Sequence, residues 1–413
     1  MPYVLGMQIG NTSSAAAVAR WQDGSWGRPE PVALQPTPAP LPSTLLRSPD
    51  GTFTLGEVGD PDRTARGILG RVGDDVPLLL DGDPYPPQTL IALLAAHVIE
   101  WVGEQEGDVA DAIVLSHPAG WGRHRRELLQ RALWERGLGE VTLLPRTVTV
   151  AESHAARGFS GDLAAVYAFG GDTFEAALVR RNPRGRYETV GVPQGLAGLG
   201  GTVLDEALAG HVRAVLAREL AAAGPAAQAT LRALPAECER AKRDLTVGVQ
   251  TDVQLSLPTG PVRVPVSRLQ FEELIRPAVR ATVELLLRAV QAAGLTPARL
   301  DGVLLAGGAS RIPLVAELLA AAGLPVETAP DPQASAATGA AVAAAQIRTP
   351  APVPAGPPPP AGGVARAAAP MPVRPADDRP RDEPPPRPPI RFTPLDLPKP
   401  SRRTLVRSRG REG

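Results

Sequence analysis

Leu163–Arg181 reads LAAVYAFGGDTFEAALVRR: an apolar run to Phe169, a small polar turn Gly170-Gly171-Asp172-Thr173, and a second apolar run Phe174–Arg181. A continuous apolar stretch of this length, closed by a turn signal, reads as a buried strand. The glycine-containing turn joins it to an antiparallel partner. The N-terminus has the same design. Tyr3–Ile9 is apolar, Gly10-Asn11-Thr12-Ser13-Ser14 is the turn, and Ala15–Arg20 is the returning strand. One unit recurring in the two halves of a chain points to a duplicated fold.

Working outward, helical spacing of apolar residues predicts helices at Pro87–Glu104, Arg123–Arg136, Gly201–Ala222, Leu231–Leu245 and Arg268–Ala293. A late strand Leu300–Leu305, the turn Ala306–Ser310 and a helix Ile312–Ala322 repeat the strand–turn–helix order. Pro36–Pro42 reads as a loop. From Thr349 onward, Pro357–Pro360 and Pro384–Pro386 exclude helix and central strand. Residues 348–413 therefore read as a disordered Pro-rich tail with polyproline II stretches, ending in Arg402, Arg403, Arg407, Arg409 and Arg411.

With 413 residues, of which 43% are hydrophobic, the chain is long enough for two lobes and a tail. Lys plus Arg and Asp plus Glu each number 43, so charge gives no reason to expect nucleic acid or a membrane surface as partner. Arg123-His124-Arg125-Arg126 reads as the solvated start of a helix. A lone cysteine, Cys238, excludes an internal disulfide framework and suits a reducing interior, where it reads as a packed side chain. His97, His117, His124, His154 and His211 lack ligand spacing, so no metal site is expected from them. The apolar run Leu90–Val102 is broken by His97 and Glu100 and is too short to span a bilayer. No signal peptide is legible at the N-terminus, and the expected location is cytoplasmic; the Ala, Gly and Pro content suggests a GC-rich bacterial source.

Chemistry concentrates in four turns. Gly10–Ser14 and Gly170–Thr173 offer backbone N–H groups and hydroxyls to a di- or triphosphate. Gly195-Leu196-Ala197-Gly198-Leu199-Gly200-Gly201 precedes a helix whose N-terminus would face an anion. Gly307-Gly308 opens another helix. Any one of them could be an ordinary turn or linker. Four in two matching halves favour a nucleotide in a cleft.

These residues carry a resemblance to the heat-shock protein 70 family. Gly6–Ser14 is similar to its first phosphate motif, GIDLGTTNS, and Tyr167–Glu175 to its second, FDLGGGTFD. Gly198–Gly201 with Asp205 resembles LGGxxxD, Cys238–Thr246 resembles CERAKRTLS, Ala306–Pro313 resembles VGGSTRIP, and Asp331–Ala341 resembles the closing helix DEAVAYGAA. The resemblance runs in order over residues 1–347 and implies an actin-like (ribonuclease H-like) duplicated α/β fold. Lobe I would span about 1–162 and lobe II about 163–347, around a nucleotide cleft, each with a five-stranded mixed sheet.

It also implies site residues. ATP or ADP would be held by Gly10, Asn11, Thr12, Ser13, Gly170, Gly171, Thr173, Gly200, Gly201, Gly307 and Gly308. Glu239 would meet the sugar hydroxyls, Lys242 and Arg243 the base and ribose, Thr246 the base edge, and Arg311 the adenine face. Spacing agrees, since Glu239, Lys242, Arg243 and Thr246 share one helical face. A solvated charged face would show the same spacing.

The hydrolytic side departs from the family. The acid of the first motif is Gln8, that of the second is Ala168, and the acid of the EPTAAA segment falls at Arg146. Thr173 remains beside the γ-phosphate, and Arg66 stands where the family has the lysine that positions water. Mg²⁺ needs oxygen ligands, so its binding is expected to be weakened. Removing one fixed electrostatic partner from phosphoryl transfer costs ~2.7–4 kcal/mol. The expected function is an ATP-binding, chaperone-class switch with impaired hydrolysis. The alternatives are a scaffold that recruits protein partners through its lobes and tail, and an actin-like filament former or sugar-kinase relative; the Cys238–Thr246 and Ala306–Pro313 motifs argue against the last two.

Overall fold

The computed structural model describes residues 1–37, 40–57 and 59–349. Its plan is two sheets with one shared strand order. The first holds β1 (Tyr3–Ile9), β2 (Ser13–Gln22), β3 (Glu30–Val32), β4 (Ile113–His117) and β5 (Thr142–Pro145). Two short segments on β2, Ser25–Trp26 and Leu41–Pro42, make it seven-stranded rather than five-stranded. The second holds β6 (Leu163–Phe169), β7 (Thr173–Arg181), β8 (Tyr187–Ala197), β9 (Gly302–Ala306) and β10 (Val326–Glu327). Their orders are β5-β4-β1-β2-β3 and β10-β9-β6-β7-β8. In both, the hairpin strands are antiparallel and the two later strands add in parallel. The hairpins also share a register. Ile9 pairs with Ser14 and Gln8 with Ala15, as Phe169 pairs with Phe174 and Ala168 with Glu175.

Nine helices lie among the described residues: α1 (Pro87–Glu106), α2 (Arg123–Glu135), α3 (Arg146–Ala155), α4 (Gly201–Val215), α5 (Ala217–Ala223), α6 (Gln228–Val247), α7 (Arg268–Ala292), α8 (Pro313–Ala321) and α9 (Ser335–Arg348). Alternation along each first strand divides the layers. Tyr3, Leu5, Met7 and Ile9 point into a core shared with Leu90, Leu94 and Val98 of α1 and Leu129 and Leu133 of α2. Ala165, Tyr167 and Phe169 do the same with Leu204 and Leu208 of α4, Cys238 of α6 and Phe271 of α7. Tyr167, Phe169 and Phe174 meet edge to face, with centroids 4.8–6.1 Å apart, a favoured aromatic geometry. The opposite faces are thinner. Ala164, Val166 and Ala168 meet Val150 and Ala151 of α3 and Ala336 of α9, while Val4 meets Ala340 and Ala344 of α9.

That layer is built from small residues because backbone packs directly on backbone. A Cβ at Gly339 of α9 would overlap the carbonyl of Thr149 in α3, and one at Gly6 of β1 would overlap the backbone of Ala337 and Ala341.

Several expectations change. The helix expected over Gly201–Ala222 breaks at Leu216, where φ is −94° and ψ is 19°. The closing helix starts four residues later than expected. Oδ1 of Asp331 accepts the N–H of Gln333 at 3.0 Å and of Ala334 at 3.4 Å, and this local turn holds the chain off helix until Ser335. Pro36–Pro42 is not wholly loop, because Leu41 and Pro42 pair with Ser14 and Ser13 at the start of β2, ahead of the stretch that pairs with β3. Gly195–Ala197 belong to β8, paired with Glu175, Phe174 and Thr173, so the glycine loop shrinks to Gly198–Gly200. An antiparallel hairpin, Gln250–Leu257 with Gly260–Ser267, adds a feature that the sequence reading does not contain. The Pro-rich tail beyond 349 lies outside the described residues.

Candidate functional site

Both turns close with one backbone bond. The N–H of Gly10 donates to the carbonyl of Ser13 at 2.9 Å, and that of Gly170 to Thr173 at 3.0 Å. They sit at the carboxyl ends of β1 and β6, the usual ligand side of such sheets. Asn11 joins them. Its Nδ2 donates to Oδ2 of Asp172 at 2.6 Å, and its Oδ1 accepts the N–H of Gly70 at 2.9 Å.

The second turn is enclosed by backbone. The N–H groups of Gly201 and Thr202, the first two of α4, donate to the carbonyls of Gly170 and Gly171 at 2.9 and 2.7 Å. These donors, expected to face an anion, are therefore already satisfied by the turn itself. Gly307 follows β9 at a φ of 84°, and a Cβ there would overlap the carbonyl of Phe169. Its N–H donates to Pro332 at 2.7 Å, and Oγ of Ser310 donates to its carbonyl at 2.7 Å. Gly170, Gly171, Gly200, Gly201 and Gly307 thus form one cluster, with Gly308 opening the 3-10 turn Gly308–Arg311.

The charged face of α6 divides. Lys242 turns inward. Its Nζ donates to Oδ2 of Asp205 at 2.7 Å and to the carbonyl of Gly201 at 3.2 Å, which ties α6 to the start of α4. Burial raises the Asp205 carboxyl, and Lys242 pulls it back. Glu239 and Arg243 are exposed and pair with each other at 2.5 Å. The hydroxyl of Thr246 donates to the carbonyl of Lys242 at 2.9 Å. Arg311 is exposed at the end of its turn. Cys238 is fully buried, and burial pushes its thiol up to about 12, which leaves it inert at neutral pH.

A cavity of about 220 Å³ lies beside the turns, lined by Asn11, Trp121, Arg125, Arg146, Thr173 and Glu175 among others. Pro145 ends β5 with a φ of −60° and ψ of 136°, so Arg146 begins α3 and faces this cavity. A cation at a helix N-terminus opposes the helix dipole. The residue is 8% exposed, and its Nη1 lies 3.5 Å from Oε2 of Glu175. Oε1 of Glu175 accepts the N–H of Ala119 at 2.5 Å. Burial holds the Glu175 carboxyl above its ordinary range, opposed by Arg146 and the N–H groups of Ala119 and Gly120. Nε of Arg146 and Oε2 of Glu175 make no hydrogen bond.

Gln8 and Ala168 occupy matching places on β1 and β6, and Ala168 is buried beside Ala306. Arg66 is exposed and does not line the cavity. Sequence reasoning missed Asp172 and Glu175 as site residues, although Asp172 stands inside the second turn and Glu175 two residues beyond it on β7. The available signal was an acid within the apolar run Phe174–Val179, since unpaired acids are almost never fully buried. Among the described residues, no group of three or more His, Cys, Asp or Glu could hold a metal ion, and no helix is long and apolar enough to cross a membrane.

A family model described as Hsp70 protein matches residues 75–353, about two thirds of the chain. The match takes in the second turn, α6 and Gly307–Arg311, and begins downstream of Gly10–Ser14 and Arg66.

Proposed function

The chain belongs to the Hsp70 family, and from that membership we propose an ATP- and ADP-binding protein of the chaperone class, a cytoplasmic nucleotide-dependent switch with impaired hydrolysis. Two actin-like lobes would close around the nucleotide. Glu239, Arg243, Thr246 and Arg311 would take the adenosine, and the turns at Gly10–Ser13 and Gly170–Thr173 the phosphates. Lys242 would act from behind, positioning α6 against α4 through Asp205.

One observation carries the impairment. At the matched hairpin positions, the two strands that end in the turns present an amide, Gln8, and a methyl, Ala168. Phosphoryl transfer relies on charge fixed in place, and neither group supplies it. Binding and transition-state stabilisation are separable, so nucleotide affinity should survive while turnover falls far below that of an ordinary family member. Single-turnover hydrolysis tests this, with Gln8→Asp, Ala168→Asp and the double variant. The double variant should gain more than the two singles combined. Ala168→Asp alone should also unfold more easily, because its neighbours Val150, Ala151 and Ala336 offer a carboxylate no partner. Wild-type turnover at ordinary family rates would overturn the reading.

A second reading, a non-enzymatic scaffold acting through its surface and tail, draws support from the Asn11–Asp172 bond, which places a carboxylate inside the second turn. Thermal shift separates the two. The switch requires stabilisation by millimolar ADP and ATP alike, weakened equally by Arg311→Ala; no shift with either nucleotide favours the scaffold.

A further inference from the structure

The groups around the cavity do not fit the divalent cation that the family uses with its nucleotide. Mg²⁺ takes oxygen ligands, with at least one carboxylate among the protein's contributions. Gln8 and Ala168, near the ends of β1 and β6 and outside the cavity lining, offer an amide and nothing, respectively. Glu175, the carboxylate of the cavity, has one oxygen on the N–H of Ala119 and the other facing Arg146.

What the cavity does offer is cationic. Arg146 is more than nine-tenths buried, lines the cavity, and donates no hydrogen bond among the described residues; its Nε is fully enclosed without a partner. A guanidinium carries five donors, and a buried one without matching acceptors is costly. Glu175 at 3.5 Å supplies partial charge compensation without hydrogen-bond geometry. Arg125 adds a second cation, while Thr173 adds a hydroxyl and Asn11 an amide. The volume, about 220 Å³, is too small for a whole nucleotide and suits one or two phosphoryl groups.

We propose that Arg146, assisted by Arg125, binds the terminal phosphates of the nucleotide in place of a divalent cation, so that nucleotide binding by this protein is metal-independent. Guanidinium forks match phosphate oxygens in pairs, a geometry that a planar cation holds without a metal. The proposal rests on the nucleotide-binding reading above and adds the means by which phosphate charge is neutralised.

Calorimetric titration of the full chain tests it, with ATP and with inorganic tripolyphosphate, each in Mg²⁺ and in excess EDTA. Both ligands should bind in EDTA within about threefold of their affinity in Mg²⁺. Arg146→Gln should weaken both by at least about tenfold in EDTA, the scale of one charge-assisted hydrogen bond, and Arg146→Lys should retain part of the binding. Glu175→Gln removes the competing carboxylate and should tighten both; it provides the test should Arg146→Gln fail to fold. Loss of ATP binding by more than about tenfold on removing Mg²⁺ overturns the proposal and leaves the nucleotide reading intact. Unchanged binding by Arg146→Gln, or weaker binding by Glu175→Gln, also overturns it. Arg146-dependent binding of tripolyphosphate without any binding of ATP supports the anion site and sinks the adenosine assignment.

Discussion

The two glycine turns share a backbone and divide their chemistry in opposite ways. In the first, the polar residue of the second pair from the turn lies on the incoming strand, Gln8, opposite Ala15. In the second it lies on the outgoing strand, Glu175, opposite Ala168. Their support differs as well. The first turn leans mainly on side chains, beside one backbone bond from Ser43 to Thr12: Asn11 reaches Gly70 and Asp172, and Ser14 shares a hydrogen bond of 2.9 Å with Ser43. The second leans on backbone, through Gly201, Thr202 and the close approach of Gly307. A turn held by side chains can be retuned one residue at a time, whereas a turn held by backbone is fixed by the fold around it.

The contrast can be broken most forcefully at Gly307. Alanine there meets both a φ of 84° and the carbonyl of Phe169, so Gly307→Ala should cost about 2–5 kcal/mol of stability. Urea denaturation measures it, and a loss no larger than that of an ordinary surface change would mean that the second turn has slack. Asn11→Ala strikes the first turn and should cost less, about 1–2 kcal/mol, since Asn11 is only partly buried. A cost equal to that of Gly307→Ala would erase the distinction between the turns.

The smallest expected effect concerns the swapped polar residue. With its native pKa above the ordinary 4.5, Glu175 holds its proton longer in the folded state than in the unfolded chain. Its contribution to stability is therefore full below pH 4.5 and declines as pH rises through the native value. Glutamine has no such decline. The melting temperature of Glu175→Gln relative to wild type should drift upward as pH rises above 4.5. A flat difference would mean that Arg146 fully compensates the carboxylate. Ala15, at the matching place in the first hairpin, offers no counterpart to this titration.

Sequence reading reached the two glycine-turn hairpins, the glycine clusters and most helices because each is local, though the equally local hairpin Gln250–Ser267 escaped it. Apolar runs ending in Gly10 or Gly170 announce strand and turn without reference to the rest of the chain. The break at Leu216 and the delayed start of α9 depend on backbone geometry and a side-chain turn at Asp331, which periodicity does not encode. Legibility at the site divides the same way. The spacing of Glu239, Lys242, Arg243 and Thr246 put them on one face, but the inward turn of Lys242 toward Asp205 depends on how α6 crosses α4. Likewise, nothing within Thr142–Ala155 announces that Arg146 will face Glu175, a residue from the other sheet.

The joint between α3 and α9 has a consequence for how this protein can change. Where Gly339 meets Thr149 and Gly6 meets Ala337, the contact is main chain on main chain, with no side chain to trim or extend. Most surfaces in a protein respond to substitution in graded steps, a methylene at a time. This one has no intermediate settings. Substitution along that line should be either silent or ruinous, and the angle between these helices should drift little while the exposed surface around them diverges freely.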